Sequence, residues 1–110
     1  MIINLTTNQI ISRKEKYCLS LWQQGRGLMF SQKKNLVMVL PKEQKISLHN
    51  WFVFYPIDVL ILNSNKKIIE IKRQFKPFNI WRSETKGKYV IELGFKNKYH
   101  VGDILSLVKS

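Results

Sequence analysis

Side chains able to do chemistry are sparse in this sequence, and their spacing is uneven. The two histidines, His49 and His100, stand far apart, and the single cysteine, Cys18, has no second thiol to pair with. Zinc takes three or four ligands, usually in spaced pairs, so this set implies no metal site, and no cofactor is implied either. The sequence holds no GxSxG, HExxH or CxxC motif and no glycine-rich phosphate loop, so no catalytic residue is assigned. A Cys18–His49 nucleophile–base pair would need the fold to bring the two together. Otherwise Cys18 is a small buried side chain on one face of its element.

Two charged residues stand among apolar neighbours: Arg26, in Arg26-Gly27-Leu28-Met29-Phe30, and Asp58, in Pro56-Ile57-Asp58-Val59. A carboxylate in such a setting must be solvated, hydrogen-bonded or ion-paired. One reading places Arg26, His49 and Asp58 around a cleft, with Arg26 as an anion anchor for a small ligand or for enzyme-like chemistry. The other makes Asp58 structural, either in a salt bridge or accepting from backbone amides at the turn after Pro56. Gly25 and Gly27 read the same two ways, as a helix stop and a bend or as an anion-binding nest.

Charge is the strongest signal. Nineteen Lys and Arg against seven Asp and Glu give +12 over 110 residues. The excess concentrates in residues 66–98, where Lys66, Lys67, Lys72, Arg73, Lys76, Arg82, Lys86, Lys88, Lys96 and Lys98 stand against Glu70, Glu84 and Glu92. Aromatic rings interleave with these cations, and Lys76-Pro77-Phe78-Asn79-Ile80-Trp81-Arg82 reads as a loop with rings between charges. Cations that neutralise phosphates and rings that stack on bases are the parts of a single-strand or RNA-binding surface. Lys66, Lys67, Lys72, Arg73, Lys76, Phe78, Trp81, Arg82, Lys86 and Lys88 are therefore the candidate polyanion-binding set. The competing account is a genome rich in Lys codons, with Phe78 and Trp81 capping one end of the core.

The elements that must position these residues are strands. There is no alanine, while Ile, Val, Lys and Asn abound, so the best helix former is missing and β-branched residues dominate. Residues 2–11 hold one or two short strands. Glu15 to Gln24 reads as the one helix, with Cys18, Leu21 and Trp22 at i, i+3, i+4 and Gly25 to end it. Strand-like runs follow at Leu36–Leu40, stopped by Pro41, then at Ile46–Phe54 and Val59–Leu62, with a turn at Asn63-Ser64-Asn65-Lys66. Lys67–Phe75 alternates, with Ile69, Ile71 and Phe75 facing one way and Glu70, Lys72 and Gln74 the other. Lys88–Leu93 repeats this with Tyr89, Ile91 and Leu93 inward. Val101-Gly102-Asp103 turns into a last strand, Ile104–Val108. The expected architecture is a single all-β domain over residues 1–110, a small sandwich or barrel of about seven short strands with one short N-terminal helix.

The longest apolar run, Trp51–Leu62, is broken by Pro56 and Asp58, so no membrane span is expected. The N-terminus does not read as a signal peptide, and a lone cysteine fits a reducing compartment, so a cytoplasmic setting is expected.

Five motifs in order resemble the family known as domain of unknown function 192: Arg26-Gly27-Leu28-Met29-Phe30, Pro56-Ile57-Asp58, Ile68-Ile69-Glu70-Ile71, Tyr89-Val90-Ile91-Glu92-Leu93 and Gly102-Asp103. The resemblance covers roughly residues 17–108. It implies a mostly β, sandwich-like or barrel-like fold with a short helix near the N-terminus, and it implies no activity. Ser31 stands where an Arg often follows the first motif. His49-Asn50-Trp51-Phe52-Val53 replaces a Trp-Met-Lys-Asn-Thr segment common in bacterial relatives and looks more like the archaeal ones.

Taken together, the sequence points first to a non-enzymatic module for RNA or a ribonucleoprotein such as the ribosome. The Arg26, His49 and Asp58 cleft is a second reading. A third is a structural subunit docking through apolar surface at Trp51 or Trp81.

Overall fold

Short β-branched runs separated by polar turns fold into two sheets in the computed structural model, which describes residues 1–13, 15–18, 35–49, 57–76, 80–94 and 99–108. Eight strands occur among them: β1 (Ile2–Asn4), β2 (Gln9–Ser12), β3 (Glu15–Cys18), β4 (Asn35–His49), β5 (Ile57–Leu62), β6 (Ile68–Phe75), β7 (Ile80–Leu93) and β8 (Leu105–Leu107). The small sheet has the order β2-β1-β8 and the large one β3-β4-β7-β5-β6. Pairing is antiparallel except between β3 and β4, which run parallel. The architecture is all-β as expected. No helix among the described residues is long and apolar enough to cross a membrane.

Strand β5 lies between β7 and β6 with all six residues buried, which explains its near-continuous apolar run. Its Val59 and Ile61 join one core cluster with Met38, Val90 and Phe75. Its Leu60 and Leu62 join another with Ile91 and Tyr99, and there Ile2 and Leu105 of the small sheet close over them.

The structure corrects the expected N-terminal helix: Glu15–Cys18 is a strand, and residues 19–24 lie outside the described part. Glu15 to Cys18 pair in parallel register with Asn35 to Met38. That long-range ladder supplies backbone partners that a local i, i+4 pattern cannot register. Pro41 does not end β4 either. It is exposed and sits where the register slips between Val39 and Gln44, a place where a missing amide costs no ladder bond. Strand β6 breaks its alternation too. The register shifts between Ile61 and Leu62 and between Ile57 and Val59 of its partner. Ile69 and Phe75 consequently meet one core and Ile71 the other.

Gly87 of β7 leaves no room for a side chain against β5. A Cβ there would lie 2.3 Å from Ile61 Cγ2, with Leu62 O at 3.3 Å. Gly87→Ala is expected to destabilise the fold by about 1–3 kcal/mol, because a buried side chain on a paired strand must move. Urea unfolding measures this, and an unchanged midpoint would show that Ile61 yields freely.

Candidate functional site

Asp58 is a buried acid that three donors reach. It lies on β5 opposite a bulge in β6, where Arg73 and Gln74 stand against this single residue. Gln74 takes a left-handed conformation, φ 50°. That leaves its amide off the ladder, and Asp58 Oδ1 accepts from it at 2.9 Å. Asp58 Oδ2 accepts from the Tyr99 hydroxyl and, at 3.3 Å, from Arg73 Nη1. The Arg73 guanidinium lies 4.3 Å from the Tyr99 ring centroid and donates from Nη2 to Tyr99 O at 2.7 Å. Burial, then the Asp58 hydrogen bond and charge, push the Tyr99 phenol well above its usual range.

A second buried aspartate works the same way. Asp103 accepts from Asn4 Nδ2 at 2.8 Å and from the His100 amide at 2.9 Å. Gly102, at φ 100°, makes the turn that delivers it. The Pro-Ile-Asp and Gly-Asp motifs are thus fastenings between segments.

Glu92 is different. It is buried on β7, and its register partners, Leu36 on β4 and Val59 on β5, are apolar. Burial pushes its carboxyl up to about 8, so the neutral acid is its form at pH 7. The alternation that placed Tyr89, Ile91 and Leu93 inward also suggested a wet side for this strand. Instead Val90 and Glu92 are buried as well, because β7 is covered on both faces.

The cations divide. Arg73, nominated for polyanion binding, is 45% exposed but tied to Asp58 and Tyr99. Lys67, Lys76, Arg82 and Lys86 are exposed, and Lys66, Lys72 and Lys88 half-buried. Lys45 and Lys86 stand directly opposite on β4 and β7. Ser64, through its hydroxyl and its amide, and then Lys86 and Lys88 hold the Glu43 carboxyl below its usual range. That contact brings the β5–β6 turn, with Lys66 and Lys67, up to the β4–β7 ribbon. Trp81 leans on the inner core cluster. Phe78 and Arg26 lie outside the described residues, as does the His49 side chain, so the expected Arg26, His49 and Asp58 cleft falls outside what the structure describes. Among the described residues no group of three or more His, Cys, Asp or Glu is placed to hold a metal. Sequence reasoning missed the Arg73–Tyr99–Asp58 cluster. Its only local signal was a carboxylate in an apolar run, and its partners sit 15 and 41 residues away.

Fold and site together define a small basic β-domain in which two buried aspartates tie the segment before β8 to both sheets. Residues 5–102 match the model of DUF192, described as an uncharacterized ACR. A UPF0127 protein of Pyrococcus horikoshii is 32% identical over 95 residues, covering 84% of this chain and 82% of that protein. A UPF0127 protein of Thermococcus sibiricus is 31% identical over 96 residues, again 84% of this chain but 62% of the relative, so the chain spans about three fifths of that protein. Two solved structures share the fold. One is a Sinorhizobium meliloti protein described as a candidate transcription regulator, with TM-score 0.77 at 18% identity, covering 96% of this chain and 88% of that one. The other is a Novosphingobium aromaticivorans protein of unknown function, with TM-score 0.71 at 14% identity, covering 84% and 74%. The chain belongs to the DUF192 family, whose function is uncharacterised and whose similar members include these archaeal proteins.

Glu92 generates a pH prediction. Its folded value of about 8 lies above the ordinary 4.5. Below 4.5 both states hold the proton and nothing is lost. Between the two values the unfolded chain releases the proton and the folded chain keeps it, so stability falls as pH rises through that window and levels off above it. Glu92→Gln should remove this slope, so the variant gains on the wild type steadily between about pH 5 and pH 8 in thermal melts and no further above it. A difference that stays constant across that range would show Glu92 to be ionised in the fold.

Proposed function

We propose that this chain is a non-enzymatic module that binds RNA or a ribonucleoprotein, the ribosome included, by gripping phosphates with the β4–β7 ribbon and the adjoining turn. The observation that carries this reading is the direct opposition of Lys45 and Lys86 across the β4–β7 ladder. Like charges facing one another on neighbouring strands destabilise a sheet, and a polyanion removes the penalty. Lys88 adds to the pair, Lys66 and Lys67 approach through the Ser64–Glu43 contact, and Lys42 is exposed on the same ribbon. The net charge of +12 supplies long-range attraction for the same partner. Arg73 has a smaller part, because its guanidinium is already bonded to Asp58 and Tyr99. Trp81 contributes through the core it leans on.

The test is titration of a fluorescent single-stranded RNA with the wild type and with the Lys45→Glu, Lys86→Glu, Lys88→Glu triple variant. Each lost phosphate contact on a single strand should reduce the slope of log K against log salt by about 0.7, so the triple variant should lose roughly 2. Arg73→Gln should instead lower the melting temperature, with binding lost only as the fold is lost. A folded triple variant that binds like the wild type would overturn the reading. So would a wild type that shows no binding at micromolar protein in low salt.

A further inference from the structure

The outer face of the small sheet carries a feature that RNA binding does not use. In β1, Ile2 and Asn4 are buried, so Ile3 and Leu5 point outward. Ile3 pairs with Ile10 on β2 and Ser106 on β8. The Leu5 amide donates to Ile104 O at 2.8 Å, and Ile104 in turn bridges Lys67. Cross-strand neighbours share a face, so Ile10, Ile3, Leu5 and Ile104 form one outward apolar surface. Leu5 is 52% exposed, Ile10 41%, Ile104 44% and, just past the end of β8, Val108 53%. Three exposed aliphatic side chains, Leu5, Ile10 and Ile104, thus stand together around Ile3 on one face.

Charge around it selects the occupant. Residues 1–13 and 99–108 contain one acid, Asp103, and it is buried. Lys67 stands on the face itself, Arg13 is exposed past the end of β2, and His100 is exposed beside Val101. The surface is therefore aliphatic at its centre with cations at its margin and no exposed acid. Its size also matters. Strands of three, four and three residues span about 14 Å by 12 Å, roughly 170 Å². A stable protein dimer buries about 800 Å² on each partner, so a second copy of this chain finds too little area here, and two +12 molecules repel. A bilayer surface has no such area requirement: aliphatic side chains enter the headgroup boundary while lysines meet acidic headgroups, and the two attractions add.

We infer that the outer face of the β2-β1-β8 sheet docks on an anionic lipid surface, with Leu5, Ile10 and Ile104 entering the interface and Lys67 on the headgroups. This does not rest on the RNA reading, whose cations lie mainly on the β4–β7 ribbon.

Vesicle flotation tests it, with phosphatidylcholine vesicles alone or carrying about 30% phosphatidylglycerol. The wild type should float with the acidic vesicles and stay behind with the neutral ones. The Leu5→Asn, Ile104→Asn double variant should lose about tenfold or more of the bound fraction, since two aliphatic side chains no longer transfer from water. Ile10→Asn should show a smaller loss in the same direction. Melting temperature and RNA affinity should be unchanged in both variants, which separates lost docking from lost folding. The inference is overturned if the wild type ignores acidic vesicles or if the double variant floats as well as the wild type. It is also overturned if sedimentation equilibrium finds a wild-type dimer that the double variant dissociates, because the face then belongs to a second copy.

Discussion

A carboxylate on the most buried strand of the protein constrains everything around it. Strand β5 has no solvent-facing residue, yet Asp58 stands in it. A charge so placed is tolerated only if donors reach it. Three do, from three sources: the Gln74 amide freed by the β6 bulge, the half-exposed Arg73 guanidinium, and the Tyr99 hydroxyl. The bulge exists where the carboxylate can satisfy the amide it strands. Arg73 is held over the Tyr99 ring by the same contacts. Through Tyr99 the large sheet grips the segment that leads into Gly102, Asp103 and β8. Asp103 then repeats the device by bonding Asn4 of β1. Two aspartates thus fasten the three-stranded sheet to the five-stranded one.

The acids that remain explain the electrostatics elsewhere. Glu92 is buried beside Leu36 and Val59 and stays protonated near neutrality. Glu70 is spent on the backbone of β7, accepting from the Glu84 and Thr85 amides. Asp58 and Asp103 are occupied by the fastenings. With only seven acids against nineteen Lys and Arg, the ribbon lysines face one another with Glu43 as their nearby acid. The proposed polyanion contact on the ribbon and the proposed lipid docking of the small sheet's outer face both draw on this imbalance.

Much of the fold was legible in the sequence because period and turn chemistry are local. The Asn63–Lys66 turn forms as its residues suggest: Asn63 Oδ1 accepts from the Asn65 and Lys67 amides, and Lys66 takes positive φ. The Val101–Asp103 turn and the short strands at both ends of the chain were also readable, and the five ordered motifs led to the family. What was not legible depends on distant partners. Glu15–Cys18 became a strand because Asn35–Met38 lies beside it. The bulges in β6 split the apparent Ile69, Ile71, Phe75 face, since one extra residue reverses the alternation. At the site, sequence singled out Asp58 and offered a structural salt bridge as one of its roles. Only the folded chain joins it to Arg73, which the charge pattern had assigned to phosphate.

The central claim is that Asp58 and Tyr99 act as one unit that fastens the sheets. A double-mutant cycle tests it, using Asp58→Asn, Tyr99→Phe and the pair together, each unfolded in urea at neutral pH. A buried hydrogen bond to a charged acceptor predicts a coupling of about 1.5–3 kcal/mol, with the double variant far less destabilised than the sum of the two single ones. Additive losses, with coupling within about 0.5 kcal/mol of zero, would contradict the account, because the two side chains would then be stabilising the fold independently.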